Sequence, residues 1–412
     1  MRFQNAAMRR WHWSSLVYKG SDESSKPSPQ GGPMRHGMYV YAWDLWHEGT
    51  TAVTDRLRAA GIDGICLATA YHAGRFLRPH APRGRVYLPD DGTVYFRPDT
   101  SLYRRLQACA ASMMQDYDAL SQIATLAPDL AVAAWTVGLH NSRLGALHPD
   151  LTCQTPFGDP LINALCPSQP EVRDYLIALC RDTAAQPGVT EVMIETPGFQ
   201  TYRHGHHHEF ELIDLTPAAD ALLGLCFCAA CRERARAWGL DVDALARSAQ
   251  DSLAAFLADG SAPLPDMQAD PDWQALIACR CDTVTSLVAE IRACLPAHVK
   301  LAVIPSVQTP NHLCWREGSD LAAFAKVCDR LEVPAYQCGP DDIARDIFDV
   351  RHAAGPNASI GFILRPTWPH VGGPADLAAC VTAVRQAKAD RLSFYNYGHM
   401  RLQSLDWIAA AV

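Results

Sequence analysis

Eight times along this chain a short apolar run rich in β-branched and aromatic residues gives way to a longer stretch with helical periodicity. Parallel strands covered on both faces read as continuous apolar runs, and each needs a crossover, usually a helix, to reach its neighbour. The alternation therefore predicts a parallel sheet wrapped in helices, and eight repeats is the number that closes a barrel. The predicted strands are 38–43, 64–69, 130–137, 191–195, 301–306, 331–336, 360–365 and 392–397. Helices are expected at 52–60, 170–184, 321–328, 341–353 and 375–387, with Ser168 offering a cap and Gly61 and Gly355 stopping the helices before them. An open doubly wound sheet would carry a Gly-rich turn after its first strand, whereas Asp44-Leu45-Trp46-His47 stands there. The fold class is thus α/β, a single (β/α)8 TIM barrel.

With 412 residues, 49% of them hydrophobic, the chain can bury such a core and still carry insertions. Long loops are expected after strands two, three and four, and a helical insertion around 239–272; residues 34–412 make up the barrel. Residues 1–33 contain Arg9, Arg10 and Trp11 but no apolar stretch suited to a signal peptide, and run into Gly20-Ser21-Asp22 and Gly32-Pro33. This segment is expected to be disordered. A net charge of −8 without a basic, aromatic-interleaved stretch speaks against nucleic acid as a partner. No apolar run reaches the roughly 20 residues a membrane-spanning helix needs. Fifteen cysteines without an export signal point to reduced thiols and the cytoplasm. A homo-oligomer is compatible with this composition.

Barrels place reactive side chains at the carboxyl ends of their strands. The polar residues there include Asp44, His72, His140, Asn141, Glu195, Ser306, Gln337, Arg365, Asn396 and His399, joined by Tyr41, Trp43, Tyr71, Trp135, Tyr336, Trp368, Tyr395 and Tyr397. Aromatic faces beside amide, imidazole and guanidinium donors suit a sugar, whose CH faces stack while its hydroxyls need hydrogen bonds. Trp43, Tyr71, His72, Trp135, His140, His204, His206, Tyr336, Arg365, Tyr395 and Asn396 are accordingly the candidate substrate-binding residues. Glu195 follows the apolar Val192-Met193-Ile194, so its carboxylate should reach the open end, with its pKa raised by desolvation as a general acid requires. Pairing with Arg203 or Arg365 is the structural alternative.

Three thiols fall within six residues, Cys226-Phe227-Cys228-Ala229-Ala230-Cys231. A turn at a helix start can wrap them round one tetrahedral ion, for which zinc is the natural candidate; such a closed site is structural. Cys166 is the expected fourth ligand and Cys153 the second choice, with unliganded buried cysteines as the alternative. His204, His206, His207 and His208, followed by Glu209 and Glu211, form a loop after strand four from which one or two imidazoles could face the cleft.

A strand-four Glu followed by Cys-x-Cys-x-x-Cys resembles glycoside hydrolase family 42, the β-galactosidases of the barrel clan A. The resemblance covers roughly 191–238 together with the barrel pattern. It implies that Glu195 is the acid/base and that Cys226, Cys228 and Cys231 hold a structural zinc. Two positions depart from the family: Ile194 stands where it has Asn, and Leu364-Arg365-Pro366 where it has a strand-seven Glu nucleophile. A second carboxylate would then be Asp44, with Glu209, Glu211 and Glu332 behind it; Asp44 and Glu195 come from non-neighbouring strands, which suits inversion. The expected function is a glycoside hydrolase-like enzyme acting on a carbohydrate. The alternatives are a non-catalytic sugar-binding barrel and a metal-dependent lyase or isomerase using the His-rich loop with His72 or His140.

Overall fold

In the computed structural model, which describes residues 34–204 and 210–412, eight parallel strands form one closed ring. They are Arg35–Val40, Gly64–Tyr71, Ala131–Val137, Val189–Glu195, Lys300–Ile304, Arg330–Pro334, Ile360–Leu364 and Arg391–Phe394. The first strand pairs with both the second and the eighth, Met38 standing opposite Ile65 on one side and Phe394 on the other, which closes the barrel. The second strand is buried along its whole length, as its unbroken apolar run requires. Residues 1–33, expected to be disordered, lie outside the described residues.

Helices begin where the sequence offers the chemistry. Pro170, Pro217, Pro271, Pro340 and Pro374 occupy first-turn positions, where the missing N–H costs nothing. Asp118, Asp241, Asp270 and Asp320 cap helices with their carboxylates. Ser168 is not a cap: Gln169 holds that place before Pro170–Ala184, and Ser168 Oγ lies 3.2 Å from Cys231 Sγ instead.

The excursions follow the second, third and fourth strands. The second strand leads into a small hairpin, Phe76–Leu77 with Val86–Tyr87, and the third into Thr152–Gln154 with Pro160–Leu165. Between the fourth and fifth strands run four helices, Pro217–Leu223, Ala229–Ala237, Val242–Ala258 and Pro271–Cys294. All four bury residues in a second apolar cluster, including Leu222, Ala235, Leu253, Phe256 and Trp273, apart from the main core.

The amino-terminal end of the barrel is sealed by ions. Arg330 holds Glu191 and Glu332, and Arg391 approaches the same two carboxylates. Burial pushes the Glu191 carboxyl up, but Arg330 and then Arg391 outweigh it and leave it below its ordinary value. This settles the place of Glu332: it accepts a hydrogen bond from Ser393 within that sealed layer, away from the open end.

Candidate active site and thiol cluster

The opposite, carboxyl end of the strands opens into a cavity of about 410 Å³. Of the expected binding residues, Tyr71, His72, Trp135, His204, Tyr336, Arg365 and Tyr395 line it together with Glu195. Tyr39, Ile304, Val307, Thr309, Pro334, Ile363 and His370 complete the wall. Among these described residues Glu195 is the one carboxyl and Arg365 the one permanent cation.

Glu195 ends the fourth strand, where the outward pitch of the barrel carries its side chain from the core to the cavity. Trp135, on the third strand, donates its indole N–H to Glu195 Oε2 at 2.5 Å. Burial pushes the Glu195 carboxyl up to about 7; the Trp135 hydrogen bond and the Arg365 charge pull the other way without undoing it. The pairing of Glu195 with Arg203 is replaced by a different partner, since Arg203 binds Glu211 at 3.2 Å. A carboxyl half-protonated near neutrality can give a proton and take one back.

The aromatic wall is continuous. Tyr39 meets Trp135 edge-on at 5.0 Å, Tyr71 meets Trp135 at 4.9 Å, and Tyr395 lies 5.8 Å from both Trp135 and Tyr336. Tyr41 sits behind them, its hydroxyl 3.1 Å from that of Tyr71 and 2.9 Å from that of Tyr395. Three imidazoles close one side: His72 stacks on His140 at 4.3 Å, and His140 meets His204 at 5.0 Å. Burial, followed by the neighbouring His72, lowers the His204 pKa to about 4, so His204 is neutral near pH 7.

Several expected residues stand elsewhere. Asp44 does not end a strand: the first strand stops at Val40, and Asp44 lies in the helix Ala42–Glu48. Its carboxylate is fully buried, takes the Tyr41 backbone N–H at 3.1 Å and pairs with Arg78 at 2.9 Å, and it is absent from the cavity wall. Burial raises it to about 6 against the pull of Arg78. Trp43, on the same helix, is stacked on Tyr41 at 4.3 Å and wholly enclosed. Asn396 is buried, with its side-chain oxygen accepting the Gly398 N–H, and His140 backs the cavity rather than lining it. His206 and Glu209 lie outside the described residues.

Glu317 carried no motif in the sequence. It follows the fifth strand, accepts hydrogen bonds from Ser306, the Val307 backbone and Gln308, and is raised to about 8 by burial, with the Glu195 charge adding to the rise. Because Val307 lines the cavity just after the strand that pairs with that of Glu195, Glu317 braces the wall beside Glu195.

The four thiols Cys166, Cys226, Cys228 and Cys231 converge, all their sulfurs within 4.8 Å of one another. Cys166 Sγ stands 3.6 Å from Cys228, 3.5 Å from Cys231 and 3.8 Å from Cys226. A tetrahedral thiolate site with metal–sulfur bonds of about 2.3 Å has edges of about 3.8 Å, so the quartet fits one ion. The Gln154 backbone N–H points at Cys226 Sγ at 3.3 Å and the Gln169 amide at Cys228 Sγ at 3.7 Å, donors that favour thiolates. Cys153, the second choice for a ligand, is buried beside the quartet but is not part of it. The cluster ties the loop after the third strand to the helix Ala229–Ala237, fastening the excursion after the fourth strand. Among the described residues it is the one such group of three or more; the three imidazoles do not converge on a point.

No protein-family model matches the chain, and no curated protein matches it. Solved structures align with it, one of them closely enough to share its fold. The PgaB (BpsB) glycoside hydrolase domain from Bordetella bronchiseptica aligns with TM-score 0.55 and 14% identity, over 88% of this chain and 94% of that one. A class V chitinase from Pseudomonas fluorescens Pf-5 aligns with TM-score 0.46 and 10% identity, covering 92% and 99%. A family GH18 chitinase from Cycas revoluta, solved with allosamidin, aligns with TM-score 0.43 and 10% identity over 92% and 99%.

Proposed function

We propose that this chain is a glycoside hydrolase-like enzyme in which Glu195 is the general acid/base. The observation that carries this reading is a single enclosed carboxyl, poised near pH 7, in a cavity walled by aromatic rings. Tyr39, Tyr71, Trp135, Tyr336 and Tyr395 supply the faces on which a sugar ring stacks, and His72, His204 and Arg365 the donors for its hydroxyls. Glu195 would protonate the leaving glycosidic oxygen while Trp135 fixes the carboxyl's orientation. The described wall offers no second carboxylate, so attack on the anomeric carbon falls to water or to a group of the substrate itself. The fold shared with a glycoside hydrolase domain agrees with this reading; the likeness to family 42 in particular rests on Glu195 and the cysteine motif alone.

The quartet Cys166, Cys226, Cys228 and Cys231 would hold a structural zinc ion. Four thiolates complete its coordination, leaving no position for substrate, and a reducing compartment such as the cytoplasm is the setting these thiols require. Metal content per chain, read by emission spectroscopy, tests both the ion and its number.

Screening aryl glycosides with the wild type and Glu195→Gln tests the function. Turnover of at least one glycoside, lost by about 10²- to 10⁴-fold in the variant, is the expected result. The missing second carboxylate also fits a barrel that binds sugar without cleaving it. In that case sugar binding persists in both proteins and no glycoside is turned over.

A further inference from the structure

Arg365 follows the seventh strand, and its guanidinium lines the cavity in an unusual state. Its carbon lies 3.7 Å from the centre of the Tyr336 ring and 5.1 Å from that of Tyr395. Its Nη1 is 3.3 Å from His370 Nε2, while His370 Nδ1 is 3.2 Å from the Gln337 carbonyl. A carbonyl can only accept, so Nδ1 carries the His370 proton and Nε2 offers a lone pair to Arg365. His370 is therefore neutral and supplies no counter-charge. Among the described residues no carboxylate reaches ion-pair distance of Arg365, and its buried Nε has no hydrogen-bond partner. Arg330 and Arg391, the other arginines inside the barrel, both face Glu191 and Glu332.

A guanidinium held in an enclosed, aromatic-lined site without an anion is costly, and cation–π contact offsets only part of that cost. Glu195 feels the Arg365 charge but stands beyond ion-pair distance of it, and its Oε2 takes the Trp135 N–H, so no direct ion pair forms inside the cavity. The missing partner is then an anion that arrives with the ligand. One fork of parallel N–H donors matches one carboxylate in charge and shape. A phosphate dianion would need further cations, and the neutral His204 and His370 do not provide them.

We propose that the sugar unit seated in this cavity is a hexuronic acid whose carboxylate pairs with Arg365. The proposal takes its carbohydrate ligand from the glycosidase reading and adds to it the class of sugar. Arg365 and Glu195 then divide the work: the guanidinium anchors the acid group, and the carboxyl serves the glycosidic oxygen.

The test is binding of D-glucuronate, D-galacturonate, D-glucose, D-galactose and glucose 6-sulfate to the full chain, read by calorimetry. At least one uronate should bind the wild type about tenfold or more tighter than its parent hexose, and Arg365→Gln should bring the two within about twofold. Equal affinity for acid and hexose in the wild type, no uronate binding at all, tighter binding of the sulfate ester, or a preference that survives Arg365→Gln would each overturn it. The wild-type comparison decides even if the variant folds poorly, and Arg365→Lys, which keeps the charge but loses the fork, should retain only part of the preference. Glu195→Gln separates this proposal from the one it rests on. Uronate preference in both proteins without hydrolysis removes the glycosidase and keeps the acid-sugar site; Glu195-dependent hydrolysis of neutral glycosides without uronate preference does the reverse.

Discussion

Replacing Glu195 by Gln should make the protein more stable at neutral and alkaline pH and leave it unchanged in acid. The carboxyl titrates at about 7 in the folded chain and at its ordinary 4.5 when exposed. Each pH unit of that rise corresponds to about 1.4 kcal/mol, so ionising Glu195 in place costs on the order of 2 to 3 kcal/mol once its partial access to the cavity is allowed for. The sign follows from the protons bound. Below about 4.5 both states hold the proton and nothing is lost; between about 4.5 and 7 the unfolded chain releases it first, and stability falls with rising pH; above about 7 the loss is complete. Gln is neutral throughout and keeps an oxygen for the Trp135 N–H. Urea unfolding of both proteins from about pH 4 to about pH 8.5 isolates the effect, because Glu317 and the other acids are common to both. The difference in stability should open across that window and then level off. Two curves that stay parallel would show that Glu195 is not held in a desolvating site, and the acid role would lose its physical basis.

Trp135→Phe removes the donor that favours ionised Glu195, and such a bond is worth about 1.5 to 3 kcal/mol. The alkaline limb of the kcat/KM profile should move up by about one pH unit or more, whereas an unmoved limb would mean that the indole does not touch the working carboxyl. Asp44→Asn should lower stability by about 3 kcal/mol, because Arg78 is left with a lost partner in a fully buried site. Hydrolysis per folded molecule should stay within about threefold, while a loss of about 10²-fold or more would restore Asp44 as a second catalytic carboxylate. Cys228→Ser should reduce bound metal from about one ion per chain to near none and expose the helices after the fourth strand to protease; a full complement of metal in the variant would contradict the quartet.

The strands were legible because buried parallel strands leave an unbroken apolar signature, and all eight were expected within a few residues of where they lie. Errors gathered at their carboxyl ends. There Trp43 and Asp44 read as the end of a strand, but Asp44 lies 34 residues from Arg78, and that ion pair, which holds it in a buried helix, has no local signature. Three of the four converging cysteines share six residues and announced themselves, and Cys166 was reached by reasoning about helix starts. Cavity residues on inward strand positions, such as Trp135 and Glu195, followed from the same alternation. Tyr39 shares that alternation and could have been found by it. Glu317 and His370 could not, since each acts through contacts made only when separate loops meet.

The central claim is that Glu195 gives its proton to the departing sugar oxygen, and the leaving group reports on that most directly. Rates of the wild type and Glu195→Gln should be compared on a dinitrophenyl glycoside, whose leaving group needs no proton, and on the matching methyl glycoside or oligosaccharide, whose leaving group does. The variant should be slowed by about 10²-fold or more on the poor leaving group and far less on the activated one. Equal slowing on both, or no slowing on either, would mean that Glu195 is not the acid.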